Sequence, residues 1–196
     1  MTPAATATAT RNATDLPIAP LLAQRWSPRG FDADHVINSD ELVCIVEAAR
    51  WAPSAGNTQP WAFAAARRGT EAFAAIHATL AGFNQVWTPA ASALLVFAVV
   101  PERAGRMTAF TAYDLGQAAA HATAQVEHLG LNAHQMGGFD ADALRTALDL
   151  PEGVRPLVVM AVGRHDDSDA VAPQVRERDA AARSRLPLAE VLLVAQ

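Results

Sequence analysis

Arg25-Trp26-Ser27-Pro28-Arg29 near one end of the chain and Arg183-Ser184-Arg185 near the other each set two guanidinium groups around a hydroxyl. Guanidinium presents a planar fork of N–H donors that matches a pair of phosphate oxygens, and serine adds a further donor. The two clusters therefore read as halves of one site for a phosphate monoester. Solvated arginines in an alanine-rich chain would show the same letters, and only the fold can bring the halves together. All 15 basic residues are arginine and there is no lysine. Schiff-base chemistry and the Walker-type phosphate loop, which both need lysine, are thereby excluded.

A second constellation is Ala52-Pro53-Ser54-Ala55-Gly56-Asn57-Thr58-Gln59-Pro60-Trp61. Its prolines stiffen the segment, while Asn57 and Gln59 each present a donor and an acceptor, as reading the edge of a heterocycle requires. A structural turn draws on the same residue types. The six histidines form no His-Glu-x-x-His or Cys/His spacing, and His121 and His128 stand seven apart, so no metal is expected. The single cysteine, Cys44, cannot form an internal disulfide, which points to a reducing cytoplasm; its helical, apolar setting predicts core packing.

These groups need elements to hold them. Asn38 with Glu41 three residues on predicts a capped helix carrying Leu42, Ile45, Val46 and Ala49 on one face and ending at Pro53. Trp61–Ala66, Leu94–Val100 and Leu157–Val162 read as strands, the last two apolar enough to be buried on both faces. A helix over Thr111–Leu129 has a stripe of small residues, with Gly130 at its end. Asp140 caps another helix, which stops at Pro151. Residues 165–182 read as an exposed charged arm and Val191–Val194 as a final strand. The order does not alternate as βαβ units do, so an α+β domain is expected over 15–196, after a disordered tail over 1–14. The apolar run Ala90–Val100 is too short to span a bilayer, and a net charge of −5 argues against a nucleic-acid partner.

Four motifs in register resemble the nitroreductase family of flavoproteins: Arg-x-Ser-x-Arg at 25–29, Ala-Pro-Ser-x-x-Asn-x-Gln-Pro-Trp at 52–61, Met136-Gly137-Gly138-Phe139-Asp140, and Arg183-Ser184-Arg185-Leu186-Pro187. The likeness runs from Leu21 to Val194. It implies an intertwined homodimer with a central, mainly antiparallel sheet flanked by helices, two FMN sites at the subunit interface, and a C-terminal arm embracing the partner. By matching position, Arg25, Trp26, Ser27 and Arg29 would hold the FMN phosphate or ribityl chain together with Arg183 and Arg185. Pro53, Ser54, Asn57 and the neighbouring Gln59 would line the isoalloxazine ring, with Asn84 as a further contact. Met136, Gly137 and Gly138 would approach the ring through backbone, near the N5 atom that carries hydride. Some family members have an acid in place of Gly137, and others a lysine in place of Trp87; these departures bear on flavin potential and substrate preference.

The implied activity is FMN-dependent transfer from NADH or NADPH to nitroaromatic, quinone or similar acceptors by a ping-pong cycle, with no side-chain nucleophile. The chain lacks a Gly-x-Gly-x-x-Gly fingerprint, so the nicotinamide would share the flavin pocket. Phe83, Trp87, Phe110 and Tyr113 lie in segments that could cover the flavin, and His134 and His165 flank the flavin segments. Divergent chemistries of the same scaffold (dehalogenation, flavin fragmentation, ring or peptide dehydrogenation) or a flavin carrier or sensor are the alternatives.

Overall fold

Asn12 and residues 14–194 are described by a computed structural model of the chain. Apart from Asn12 and Thr14, the expected disordered tail over 1–14 lies outside the described residues. The first element among the described residues is the short helix α1 (Pro20–Gln24), followed by α2 (Ser39–Arg50). The capping box predicted for α2 is present: the Asn38 side chain accepts the Glu41 N–H at 2.8 Å, and the Glu41 carboxylate accepts the Asn38 N–H at 3.0 Å. Such a cap contributes about 1 kcal/mol. A tight turn at 55–57 then feeds β1 (Trp61–Arg67).

Next come α3 (Glu71–Ala78), the single turn α4 (Asn84–Trp87), β2 (Ala93–Val99) and the single turn α5 (Pro101–Ala104). The long helix α6 (Thr111–His128) leads to β3 (Asn132–Met136), α7 (Ala141–Ala147) and β4 (Arg155–Gly163). Two further helices, α8 (Pro173–Ala180) and α9 (Leu188–Val191), close the described chain.

The four strands lie in the order β1-β2-β4-β3 and every pairing is antiparallel. β2 is buried at every position, as its unbroken apolar run predicts. Its alternate residues serve two cores. Leu95, Phe97 and Val99 meet α2 and α6, while Leu94 and Val96 meet Phe73, Ile76, Trp87 and Leu144 on the opposite face. Helices on both faces of an antiparallel sheet make the domain α+β. On α6 the small stripe Ala118, Ala119 and Ala122 is no more than 2% exposed, which lets α2 lie close against it.

The structure corrects four expectations. Cys44 is exposed: the buried stripe of α2 is Leu42, Ile45 and Ala49, and Cys44, two residues past Leu42, points away from it. The strand β3 was not expected, because Asn-Ala-His-Gln-Met has little β-branched or apolar signal and gains its place by pairing with β4. The 165–182 segment is not simply an exposed arm; Val171 and Val175 are buried and α8 forms within it. Val191–Val194 is no strand: Val191 ends α9, and the exposed residues after it pair with no strand edge among the described residues.

Candidate functional site

The two arginine clusters converge. Arg25, Arg183, Ser184 and Arg185 line one cavity of about 560 Å³, together with Asn12, Leu22 and Asp179. Position 25 is set by the end of α1, where the Arg25 N–H donates to the Leu21 carbonyl at 3.1 Å. The Arg25 guanidinium reaches Ser27 Oγ at 3.4 Å. Arg183 lies over the buried ring of Trp26, 5.0 Å from its centroid, and donates to Asn12 at 3.2 Å. A ring face under a guanidinium favours the cation and fixes its plane. Glu127, in the last turn of α6, faces this region. Burial raises its carboxyl pKa, while the hydrogen bond from Asn132 and the charge of Arg25 pull it back.

Arg29 stands apart from that cavity. Its guanidinium lies 3.8 Å from the Asp179 carboxylate, and it lines a separate cavity of about 370 Å³ with Trp87 and Asp166. The intervening segment is anchored by His134 on β3, whose Nδ1–H donates to the Pro28 carbonyl at 2.9 Å. Burial lowers the His134 pKa, opposed by that hydrogen bond, so the ring is held toward its neutral form. His134 also packs on Trp87 at 4.8 Å, and His165 meets Trp26 at 4.9 Å. Trp87 is thus a buried core residue, as is Met136.

The amide loop carries visible strain. Gly56, Asn57 and Gln59 have φ of 59°, 55° and 50°, in the left-handed region. Two of the three are not glycine, at a cost of order 1 kcal/mol or more each, so surrounding contacts must dictate the shape. Ser54 Oγ accepts the Gln59 N–H at 2.9 Å, and the Gln59 amide donates to the Asn57 carbonyl at 3.1 Å. Beneath them Asp114 is 1% exposed and accepts the Ala55 N–H at 3.1 Å. Sequence reasoning missed Asp114, since one acidic residue in the first turn of a helix looks like dipole compensation. Pro53 is exposed at the entry to the loop.

A third group forms at the end of β3. The Asn84 amide donates to the Gly138 carbonyl at 3.2 Å, and a Cβ on Gly138 would sit 3.0 Å from that amide, so a side chain there would require the Asn84 amide to shift by a few tenths of an ångström. Nothing lies within 4 Å of a Cβ built on Gly137, so no packing contact requires glycine at that position. Phe83 is covered by the Arg178 guanidinium at 4.0 Å, and Phe110 and Tyr113 are exposed at the start of α6. Among the described residues no three His, Cys, Asp or Glu side chains gather as a metal would require. No helix among them is long and apolar enough to cross a membrane.

The amide loop and the arginine cavity do not meet within one chain. Asp114, under the loop, and Glu127, facing Arg25, sit at opposite ends of α6. Thirteen residues at 1.5 Å each separate them by about 20 Å.

Comparison with known proteins places this arrangement. An oxidoreductase containing FMN superposes with a TM-score of 0.85 at 32% identity, over 95% of this chain and 96% of that one. An uncharacterized 15.4 kDa protein of the ask 5′ region of Mycolicibacterium smegmatis is 37% identical over 126 residues, 63% of this chain and 85% of the relative. A candidate NADH dehydrogenase/NAD(P)H nitroreductase of Archaeoglobus fulgidus is 28% identical over 145 residues, 69% of this chain and 78% of the relative. The family model described as Nitroreductase family matches residues 22–164, a span that holds three of the four sequence motifs and all four strands. The chain therefore belongs to the nitroreductase family.

Proposed function

We propose that this chain is an FMN-dependent oxidoreductase that takes electrons from NADH or NADPH and passes them to nitroaromatic, quinone or similar electrophilic acceptors. One observation carries the proposal: arginines from positions 25, 183 and 185, distant in sequence, line a single cavity. Guanidinium groups converging on one space suit a phosphate monoester, and FMN ends in one. Arg25, Ser27, Arg183 and Arg185 would hold that phosphate, Asn84, Gly137 and Gly138 the ring through polar and backbone contacts, and Asn57 and Gln59 its heteroatom edge. FMN, when bound, supplies the hydride chemistry. The chain's own part is to bind, orient and exclude water. Donor and acceptor would use the same pocket in turn, for the sequence has no dinucleotide fingerprint. The name of the Archaeoglobus relative supports NAD(P)H as donor.

We further propose that the working unit is a homodimer in a reducing cytoplasm, each subunit one domain over 15–196. The separation of about 20 Å along α6 supports this: a second copy could bring its 53–59 loop to the arginines of the first. The exposed apolar residues Trp51 and Tyr113 and the run Leu192–Val194 supply surface for such a contact.

An absorbance spectrum of the purified chain, followed anaerobically by NADH and then NADPH, tests the reading. Flavin bands that bleach with one of the nucleotides, and return with a nitroaromatic or quinone, are expected. Bands that persist with both would leave a flavin carrier or sensor; reduction without turnover on these acceptors would favour a divergent chemistry. A chain that stays colourless after incubation with FMN would refute the proposal.

A further inference from the structure

Asp179 joins the two arginine clusters and belongs to neither motif. It sits near the end of α8 with its side chain 7% exposed. Its carboxylate accepts the Arg29 N–H at 2.8 and 3.0 Å and the Gly30 N–H at 2.7 Å, across about 150 residues of sequence. The Arg29 guanidinium lies 3.8 Å away. A Cβ on Gly30 would fall 2.4 Å from the Asp166 carbonyl oxygen, so only glycine lets the backbone come this close. Four residues beyond Asp179 the chain delivers Arg183 onto Trp26. One carboxylate thus fixes the 25–30 segment against the start of the C-terminal arm, setting where Arg25 stands relative to Arg183 and Arg185.

The same carboxylate lines the cavity of these arginines, where an uncompensated negative charge would repel a phosphate. Two backbone N–H groups and the Arg29 guanidinium meet that charge. Arg29, for its part, does not line the cavity of the other three arginines. We propose that Asp179 is the positioning residue of the anion site and that Arg29 acts as its counter-charge, not as a ligand of the phosphate. The proposal rests on the assignment of that site to the FMN phosphate, and it departs from the sequence motif, which treats Arg25 and Arg29 alike.

The test compares FMN with riboflavin, which carries the same ring without the phosphate, on the flavin-stripped full-length protein. The wild-type chain is expected to bind FMN more tightly than riboflavin. Asp179→Ala should weaken FMN by about tenfold or more while riboflavin affinity stays unchanged, because what is lost is the arrangement of charge-assisted contacts to phosphate. Asp179→Asn, which keeps an acceptor for the backbone N–H groups, should fall between. Arg29→Ala should weaken FMN in the wild-type background and much less in the Asp179→Asn background, as coupling between contacting residues requires.

Equal losses for FMN and riboflavin would reduce Asp179 to a general structural residue and overturn the proposal. Additive losses from Arg29→Ala and Asp179→Asn would return Arg29 to the phosphate and overturn its second half. If Asp179→Ala does not fold, the comparison rests on Asp179→Asn, and unchanged FMN affinity there overturns the proposal. A wild-type chain with no preference for FMN would instead remove the phosphate site itself, taking this proposal with it. A preference for FMN over riboflavin that is undiminished in both Asp179 variants removes the proposal alone.

Discussion

Asn57 spends backbone strain to hold a side chain at the rim of a loop, and the two contributions can be separated. Its φ of 55° suits glycine better than any side chain. Asn57→Gly is therefore expected to leave stability unchanged or to raise it by no more than about 1 kcal/mol, while weakening flavin binding through loss of the amide. Thermal melts with a flavin titration check both halves, and unchanged flavin affinity would remove Asn57 from the site. Asp114 presents the opposite case. Asp114→Ala would leave the Ala55 N–H without its carboxylate partner and open a space under the loop, at a cost of about 1–3 kcal/mol. Asp114→Asn, which can still accept that bond, should cost less, as denaturant midpoints would show. At the phosphate end, Arg25→Ala or Arg185→Ala should lose about 1.5–3 kcal/mol of FMN affinity, the worth of a charge-assisted contact. The arginines were legible in sequence because their chemistry is local. Asp114 and Asp179 were not, since each works on backbone N–H groups that only the fold brings near.

At the scale of elements, α2, α6 and β2 were readable because local signals agreed with their tertiary setting: the Asn38–Glu41 box, the alanine stripe and the unbroken apolar run. β3 was hidden because its burial comes from β4 beside it and α6 above it, not from its own residues. Its His134 nevertheless ties it to the arginine segment through Pro28. Burial holds the His134 pKa below the ordinary 6.5, so in mild acid the unfolded chain binds a proton that the folded chain refuses. This stability is fully present above pH 6.5 and falls as pH drops through that value toward the lowered folded pKa. Arg29 and Asp179 act on the ring with opposite signs, and burial outweighs both. His134→Gln keeps an N–H for the Pro28 carbonyl and cannot titrate. It should flatten the acid slope of stability, measured by denaturant midpoints from neutral to mildly acidic pH; an unchanged slope would assign the loss to another group.

For the whole molecule, the question is what completes the site. One chain offers an arginine cavity at one end of α6 and a strained amide loop at the other, about 20 Å apart. It also exposes Leu186, Leu188 and Val191 through Val194, with Leu193 at 90%, in an extension that finds no core of its own. Apolar surface of this kind is costly to leave in water, and a two-fold contact would cover it and exchange the loops at once. From the single sequence a dimer was implied only through the resemblance of its motifs, because a residue contributed across an interface leaves no spacing signal of its own. The expected outcome is that the full chain sediments as a dimer, while a chain ending at Arg185 shifts toward monomer. The truncated chain keeps Arg25, Arg183 and Arg185, and it should still lose most of its FMN, since the partner's amide loop has gone with the interface. Sedimentation velocity with flavin absorbance on the same boundary reads mass and occupancy together. A truncated monomer that keeps its flavin would show that each subunit builds its site alone, and the 53–59 loop would then need another explanation for its strain.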